Sequence, residues 1–179
     1  TLFRCKHRIA SLLDIGTGNG AALPFWMSLG IKTSAMEPDP EGFGFAGRQA
    51  GADTRRIAVG EMLPPEWQKA FDAVVCLEVI EHLYEPGQLL QTIGQALKPK
   101  GLVIVSTPYH GYLKNLAMAL AGNWDFHRHP LRTGGHIKFW SEATITELFR
   151  KHGYIQCGFR GLGRVPYIWK SMIVVFKQN

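Results

Sequence analysis

Short apolar runs alternate along the chain with segments whose apolar residues recur at helical spacing. The runs that indicate strands cover residues 11–15, 31–36, 56–59, 71–77 and 102–105. The helical patterns between them cover residues 18–29, 41–50 and 87–97. The runs over residues 71–77 and 102–105 are apolar at nearly every position rather than at every second one, which is typical of strands buried on both faces,. The pattern therefore predicts an α/β fold in which helices cover a parallel sheet.

The last third of the chain follows a different pattern. Residues 144–152 predict a helix that ends at Gly153,. Residues 154–159 and 169–176 then indicate two strands, joined by a segment rich in turn residues. Because no helix separates these two strands, we expect an antiparallel hairpin at the edge of the sheet. Residues 98–101, Lys-Pro-Lys-Gly, predict a turn just before the fifth strand,.

Residues 107–140 interrupt the alternation of strands and helices. They include a short amphipathic helix, predicted over residues 111–121, and four of the seven histidines,. An insertion after the carboxyl end of a strand is where α/β sheets build substrate sites. We therefore expect one domain over residues 1–179, with residues 107–140 as a lid over a substrate. The aromatic residues that could line an acceptor pocket there are Tyr109, Tyr112, Trp124 and Phe126.

Composition narrows the class of protein. Apolar residues make up 46% of the 179 residues and charged residues 19%, which excludes a disordered chain,. The apolar runs are too short to cross a bilayer. Three cysteines without a CxxC motif do not form a disulfide framework, which favours a reducing, cytoplasmic setting,. The chain begins with Thr1, and no secretory signal pattern follows it,.

Basic residues outnumber acidic ones, and the formal net charge is +6. The basic residues occur in groups of two or three rather than in a dense run, so no nucleic-acid partner is expected. The charge is compatible with an anionic substrate or with a membrane surface.

A glycine-rich loop follows the first predicted strand. Residues 14–20 have the sequence Asp-Ile-Gly-Thr-Gly-Asn-Gly and lead into a helical segment. The exposed amides at such a helix start attract negative charge. The spacing is G-x-G-x-G, however, and not the G-x-G-x-x-G of dinucleotide-binding proteins. Asp14 stands before the first glycine, where its carboxylate would repel a pyrophosphate but attract an α-amino group.

Glu37 stands at the end of the second strand, 17 residues after Gly20. A carboxylate at this point of a strand–helix–strand unit can accept hydrogen bonds from both hydroxyls of a ribose. The loop and this acid together predict a nucleoside-containing ligand at the carboxyl edge of the sheet.

The chain resembles the class I S-adenosylmethionine-dependent methyltransferases. The resemblance is carried by residues 14–20, by Glu37, by residues 71–82 (Phe-Asp-Ala-Val-Val-Cys-Leu-Glu-Val-Ile-Glu-His) and by residues 97–101. The Glu-Val-Ile-Glu-His stretch looks most like the subgroup that includes the ubiquinone-biosynthesis O-methyltransferases. The resemblance implies a Rossmann-like, doubly wound, three-layer α/β/α fold. Its seven-stranded sheet would have the order 3-2-1-4-5-7-6, with the last strand antiparallel.

The resemblance also implies a cofactor site for S-adenosylmethionine or S-adenosylhomocysteine. The residues expected beside the methionine part are Asp14, Gly16, Thr17 and Gly18, with Thr17 where the family commonly has Cys. Glu37 is expected to bind the ribose and Pro38 to lie against the adenine. The loop after the third strand offers Glu61 or Met62 for the adenine amino group. Those expected beside the sulfonium and the substrate are Leu77, Glu78 and Ile80.

Methyl transfer to a small-molecule hydroxyl needs a group that removes the proton of the acceptor. His136, just before the last major helix, is the first candidate for this base, and His82 is a weaker one. Glu78, Glu81 and His82 share one face of a helical turn and suit either a divalent metal or simple packing. A zinc site from His127, His129 and His136 is a further alternative. Our prediction is that no metal is bound.

Other interpretations remain open at this stage. The helix over residues 111–121 could contact a membrane peripherally, although Lys114 is its only charge,. A domain that binds the cofactor without transferring a methyl group fits the same motifs. An NAD-linked oxidoreductase is disfavoured by the loop spacing and by Asp14. The sequence leaves open which acceptor is methylated, and whether on oxygen, nitrogen or carbon.

Overall fold

Seven strands form one sheet in the computed structural model, which describes residues 9–49, 51–124, 133–163 and 165–179. The strands are β1 (Ser11–Ile15), β2 (Lys32–Met36), β3 (Asp53–Arg55), β4 (Phe71–Leu77), β5 (Leu97–Pro108), β6 (Tyr154–Leu162) and β7 (Ser171–Gln178). Their order is β3-β2-β1-β4-β5-β7-β6. The pairs among β1 to β5 are parallel, and β7 is antiparallel to both of its neighbours. The predicted strand order and reversed last strand are confirmed.

Helices cover the two faces of this sheet. The α-helices of the described residues are α1 (Leu23–Ser28), α2 (Pro40–Ala46), α3 (Gly87–Ala96), α4 (Tyr112–Leu120) and α5 (Glu142–Lys151). Short 3-10 turns occupy Pro65–Trp67 and Ile80–His82. The larger core cluster lies between the sheet and the helices α3 and α5. Leu23 of α1 and Ala46 of α2 pack with Ala35 of β2.

The position of α5 shows how local sequence sets the packing. Ser141 begins the helix with a capping box, because its Oγ accepts the N–H of Thr144 and the Thr144 Oγ1 accepts the N–H of Ser141,. Phe149 of α5 is fully buried and stacks on Phe176 of β7, with ring centroids 4.0 Å apart. The helix ends at Lys151, shortly before Gly153, whose φ of 84° suits glycine,.

The third strand differs from its prediction over residues 56–59. The observed β3 is Asp53–Arg55, a polar segment, and the apolar residues 57–59 follow it as a loop. β3 is the edge strand of the sheet, so it has less need of apolar side chains than a central strand does,. The apolar run that suggested a strand lines a cavity instead.

The fifth strand is longer than the predicted run of residues 102–105. It covers Leu97–Pro108, and it includes the residues predicted as a turn. Its pairing with β4 shifts register there: Phe71 pairs with Leu97 and Ala73 with Leu102. Lys100 has a φ of 64° within this irregular stretch. The turn chemistry therefore produces a bulge in the strand rather than its start.

The first two helices are shorter than the helical patterns suggested. α1 begins at Leu23 rather than near residue 18, because Gly16, Gly18 and Gly20 all have positive φ values that a helix does not accept,. α2 ends at Ala46. The glycine loop is thereby left free to follow the edge of the sheet.

Candidate active site

The strands β1, β2, β4 and β5 are parallel, so their carboxyl ends meet at one edge of the sheet. The segments that follow them carry most of the candidate residues: the glycine loop after β1, Glu37 after β2 and the Glu78–His82 turn after β4. This edge is where open α/β sheets bind their ligands.

The glycine loop turns sharply at Gly16. Its φ is 67°, and a Cβ there would lie 2.6 Å from Cγ2 of Val79. The N–H groups of Gly16 and Thr17 both donate to the carbonyl oxygen of Met36, at 2.8 and 3.2 Å. Only glycine meets both the conformation and the close approach, so the loop holds the end of β1 against the ends of β2 and β4.

Glu37 is held in a fixed orientation by two backbone groups. Its Oε2 accepts the N–H of Gly18 at 2.7 Å, and its Oε1 accepts the N–H of Asp39 at 3.0 Å. A carboxylate has about four acceptor positions, so each oxygen can accept a further hydrogen bond. The side chain is largely buried and borders the cavity described below. It is therefore a preorganised acceptor for two hydroxyl groups.

Asp14 lies beneath the glycine loop and is only 2% exposed. The hydroxyl of Thr17 donates to its Oδ2 at 3.1 Å. Burial raises the pKa of Asp14 from 3.8 to about 7; the Thr17 hydrogen bond opposes this shift and the charge of Glu37 adds to it. A nearby positive charge would therefore be a strong partner for this carboxylate.

The buried carboxyl of Asp14 predicts a specific dependence of stability on pH. Its contribution to the free energy of unfolding is fully present below about pH 4 and is lost as the pH rises to about 7, because the folded state binds the proton more tightly than the unfolded chain,. Asp14→Asn keeps an acceptor for Thr17 but cannot ionise. We expect the variant to gain stability over the wild type between about pH 5 and about pH 8 in urea unfolding. If the free energy of unfolding depends on pH in the same way for the two proteins, this prediction is wrong.

A cavity of about 380 Å³ opens beside the glycine loop. Residues 57–59 form an apolar wall, and Val79, His82 and Leu83 lie among the other lining residues. The remaining lining residues are Gly16, Met36, Glu37, Pro38 and Glu78. An apolar cleft with a few oriented polar groups is typical of a small-molecule site.

The structure brings several predicted residues together at this cavity. Gly16, Glu37, Pro38 and Glu78 line it, and Thr17 and Gly18 contact the side chains of Asp14 and Glu37. Leu77 is the last residue of β4 and is partly buried. Three of the residues predicted to bind the cofactor, Ile80, Glu61 and Met62, do not line the cavity. Residues 57–59, which were not predicted as site residues, do line it.

Ile80 is fully buried in the larger core cluster, where it anchors the turn rather than facing a ligand. Glu61 and Met62 stand outside the cavity lining. The Glu61 carboxylate accepts the N–H of Ala58, and the Met62 side chain is 81% exposed. Ala58 and its two neighbours supply the apolar wall instead. Sequence reasoning missed them because their apolar run resembled a strand.

Glu81, His82 and His136 form a compact group after β4. The N–H groups of Ile137 and Lys138 donate to the carbonyl oxygen of Glu81 at 2.9 and 3.0 Å, and so they hold residues 136–138 against the turn. The His136 Nε2 lies 4.0 Å from the Glu81 Oε1, and the imidazole rings of His82 and His136 meet edge to face at 4.9 Å. His82 also lines the cavity.

The Glu81 carboxyl is 1% exposed, and only one of its oxygens has a hydrogen-bond partner among the described residues. Its Oε2 accepts the hydroxyl of Thr107 at 3.0 Å, whereas its Oε1, on the side of His136, has none. Burial, with the charge of Glu78 as a further cause, raises the pKa of Glu81 from 4.5 to about 7, and the hydrogen bond from Thr107 opposes this shift. A proton or a cation at His136 would therefore stabilise this carboxylate.

The same group has the composition of a metal site. One ligand atom from each of Glu81, His82 and His136 lies within 4.8 Å of the others. A carboxylate with two imidazoles is a ligand set that divalent cations accept. The sequence spacing suggested Glu78, Glu81 and His82 as the ligand set, whereas the group found among the described residues contains His136 instead of Glu78. The alternative zinc ligands His127 and His129 lie outside the described residues, as does Phe126.

The described part of the insertion contains α4, whose outer face is apolar. Tyr112 is 78% exposed and Leu120 is 81% exposed. Lys114 is buried, and its Nζ donates to the carbonyl oxygens of Tyr109 and Lys170. Within the described residues, each helix is too short or too polar to cross a membrane. Thr107 and Pro108 continue β5, so the insertion begins after them.

The chain belongs to the family described as "Methyltransferase domain", which matches residues 2–155. This confirms the resemblance found in the sequence. The ubiquinone biosynthesis O-methyltransferase of Caulobacter vibrioides is 37% identical over 116 residues, which are 63% of this chain and 46% of that protein. The protein of the same name from Cereibacter sphaeroides strain KD131 is 31% identical over 163 residues, 88% of this chain and 65% of that protein. The chain thus spans about half to two thirds of these relatives.

Solved structures share the fold at low sequence identity. A SAM-dependent methyltransferase of Aquifex aeolicus has a TM-score of 0.70 and 14% identity, over 94% of this chain and 81% of that one. The 1,6-didemethyltoxoflavin-N1-methyltransferase of Burkholderia thailandensis has a TM-score of 0.68 and 17% identity, over 96% and 72% of the two chains. Its structure contains 1,6-didemethyltoxoflavin and S-adenosylhomocysteine. One fold therefore accompanies different acceptors, and the acceptor must be inferred from the site.

Proposed function

We propose that this protein is an S-adenosylmethionine-dependent methyltransferase that transfers a methyl group to the hydroxyl oxygen of a small-molecule acceptor. The observation that carries this proposal is the Glu81–His136 pair, with 4.0 Å between carboxylate oxygen and imidazole nitrogen, which contacts His82 of the cavity wall. A hydroxyl acceptor needs such a proton acceptor, and the low exposure of Glu81 strengthens its effect on the imidazole,.

The residues around the cavity fit the cofactor. Glu37 offers two oriented carboxylate oxygens for the ribose hydroxyls, and Pro38 and residues 57–59 offer apolar surface for the adenine. The Asp14 carboxyl beneath Gly16 suits the positively charged methionine end,. When bound, the cofactor supplies an electrophilic methyl group. The protein's part is to align the acceptor, exclude water and remove a proton.

His136 is the group that would receive the proton of the acceptor hydroxyl as its oxygen gains the methyl group. The imidazole becomes positively charged by taking that proton, and the carboxylate of Glu81 stabilises this charge at close range,. His82 packs against His136 and borders the cavity, so it is placed to orient the imidazole.

The names of the curated relatives also support oxygen as the acceptor atom. Both are O-methyltransferases of ubiquinone biosynthesis, whereas the structural neighbour from Burkholderia thailandensis is an N1-methyltransferase. A matched pair of acceptors separates the two chemistries. With methyl-labelled S-adenosylmethionine, we expect label to enter para-butylphenol and not para-butylaniline. Transfer to the aniline alone would overturn the oxygen assignment.

Calorimetry tests the competing functions. We expect S-adenosylhomocysteine to bind and NAD not to bind, because the loop has the spacing G-x-G-x-G rather than G-x-G-x-x-G and the carboxylate of Asp14 would repel a pyrophosphate,. Binding of NAD alone would favour an oxidoreductase. Cofactor binding without label transfer to any hydroxyl, amine or thiol in an acceptor panel would favour a non-catalytic binding domain.

A divalent cation is the second way in which the same residues could assist the reaction. Glu81, His82 and His136 would hold it, and the cation would lower the pKa of a bound hydroxyl,. Chelator treatment followed by addition of Mg²⁺, Mn²⁺ or Zn²⁺ distinguishes the cases. Activity that survives the chelator supports His136 as the base, whereas activity restored only by a metal supports the cation.

We also propose that α4 contacts a membrane surface peripherally, on the cytoplasmic side. The only charged residue of α4 is turned inward, and the outer face presents Tyr112, Leu116 and Leu120. Buried, unpaired Cys76 is consistent with a reducing compartment,. An apolar face on a protein of net charge +6 suits an anionic bilayer,.

The membrane proposal predicts that Leu120→Glu lowers the binding to vesicles of anionic phospholipid by about tenfold or more, since burying a leucine contributes about 1.5–3 kcal/mol. Co-sedimentation with vesicles measures the effect. Phe25→Glu is the matched control, because Phe25 is an exposed apolar residue on α1 rather than on α4. Equal losses in both variants would contradict a surface centred on α4.

A further inference from the structure

Glu78 occupies an unusual backbone conformation at the wall of the cavity. It is not a glycine, yet its φ is 56°, in the left-handed region that other residues rarely adopt,. Such conformations persist where the surrounding structure holds them, and they are frequent at functional sites. Because Glu78 is also a cavity residue with an exposed side chain, its conformation has a direct effect on what the cavity can bind.

Ser106, near the end of β5, holds both the backbone and the side chain of Glu78. The N–H of Glu78 donates to the carbonyl oxygen of Ser106 at 3.1 Å and to its Oγ at 3.2 Å. The Ser106 hydroxyl in turn donates to the Glu78 Oε1 at 2.7 Å. This reciprocal arrangement uses the hydroxyl once as an acceptor and once as a donor, as its chemistry allows.

Ser171, the first residue of β7, contacts the same carboxylate oxygen. Its Oγ lies 3.0 Å from the Glu78 Oε1 and 3.0 Å from the carbonyl oxygen of Thr107. The hydroxyl has one proton and can donate to only one of these acceptors at a time. The ionised carboxylate is the stronger acceptor. The last strand of the sheet, far away in sequence, therefore reaches the cavity wall through Ser171.

We propose that Ser171 is a positioning residue for methyl transfer: together with Ser106 it holds one oxygen of Glu78 so that the other oxygen receives a hydrogen bond from a second hydroxyl of the acceptor, beside the hydroxyl whose proton His136 receives,. This role rests on the proposed function. The geometry explains why Glu78 needs two hydroxyl partners on one oxygen: they fix the plane of the carboxylate, whereas a single contact would leave it free to rotate. An acceptor held by a fixed carboxylate loses less entropy on reaching the reactive position.

Ser171→Ala is expected to lower kcat for methyl transfer to 4-butylcatechol, which has one hydroxyl for His136 and one for Glu78, roughly tenfold, the scale for losing one hydrogen bond to a charged group. The Kd for S-adenosylhomocysteine is expected to change less than about twofold, since Ser171 does not line the cavity,. Ser171→Thr keeps the hydroxyl and is expected to restore most of the activity. Loss of activity in the threonine variant equal to that in the alanine variant would overturn the positioning role.

A double-mutant cycle with Glu78→Ala tests whether Ser171 acts through Glu78. We expect Ser171→Ala to have little further effect once the Glu78 carboxylate is absent. Equal effects in both backgrounds would overturn the proposal, as would unchanged kcat in Ser171→Ala. Thr146→Val is the matched control, because it removes one side-chain hydrogen bond, from Thr146 to Gln156, elsewhere in the fold. If the wild type methylates no hydroxyl, the proposed function fails instead.

Discussion

Replacing His136 by alanine is expected to lower kcat for methyl transfer to a hydroxyl acceptor by about 10²–10⁴-fold, the contribution typical of a general base. The imidazole lies 4.0 Å from a carboxylate oxygen of Glu81 that has no hydrogen-bond partner among the described residues. Removing the ring leaves the acceptor proton without its recipient. The cofactor should still bind, since His136 is not among the residues that line the cavity.

Single-turnover measurement of labelled methyl transfer checks this expectation, and calorimetry with S-adenosylhomocysteine checks that binding persists. Imidazole added to the His136→Ala enzyme is expected to restore part of the rate by entering the space left by the ring. His152→Ala is the matched control, because His152 caps the end of α5 through a contact with the Leu148 carbonyl oxygen and is exposed. Normal turnover in the His136→Ala enzyme would show that His136 is not the general base.

His82→Ala separates the two candidate histidines. His82 borders the cavity and packs against His136, so its loss is expected to weaken acceptor binding and to lower kcat less than the loss of His136 does. A larger fall in kcat for His82→Ala than for His136→Ala would indicate that His82 is the base and that His136 orients it.

Sequence patterns predicted the central strands because these strands are buried on both faces, whereas the order of the strands came from the resemblance to the methyltransferases. β4 and the apolar part of β5 consist almost entirely of apolar residues because both of their faces are covered. The local sequence is therefore enough to predict them as strands,. The edge strand β3 was misplaced for the opposite reason. Its residues Asp53–Arg55 are polar, and the neighbouring apolar residues 57–59 line a cavity, which requires apolar side chains without requiring a strand.

The candidate site shows the same division between local and long-range information. Glu37 and the glycine loop were predictable, because the spacing within one strand–helix–strand unit fixes their relation. The approach of His136 to Glu81 depends on two backbone hydrogen bonds across 56 and 57 residues of chain, from Ile137 and Lys138 to Glu81. Ser171 reaches Glu78 across 93 residues. Spacing along the chain contains no signal for such contacts.

Replacing Glu37 by alanine is expected to weaken S-adenosylhomocysteine binding by about 1–3 kcal/mol, the scale for losing hydrogen bonds to a charged group. The carboxylate is buried, and the N–H groups of Gly18 and Asp39 orient both of its oxygens. Alanine removes the acceptor for the ribose and also leaves these two N–H groups without their partner. The affinity should therefore fall even if the backbone of the loop keeps its position.

Glu37→Gln refines this test, because the glutamine side chain has nearly the same shape. Its amide has one oxygen and one NH₂ group, so it can accept only one of the two N–H groups and must turn a donor toward the other,. We expect the glutamine variant to bind S-adenosylhomocysteine nearly as weakly as the alanine variant. Glu41→Ala is the control for loss of negative charge alone, since Glu41 lies close by in the first turn of α2 and is exposed.

Calorimetry gives the three affinities, and thermal unfolding without ligand shows whether each variant is folded. Folded Glu37 variants that bind the cofactor as tightly as the wild type would remove Glu37 from the ribose site. If Glu41→Ala weakens binding as much as Glu37→Ala does, negative charge near the start of α2, rather than the two oriented oxygens of Glu37, determines the affinity. A loss confined to the Glu37 variants leaves the fixed carboxylate as its source, because only that side chain is held by N–H groups from both the glycine loop and the start of α2.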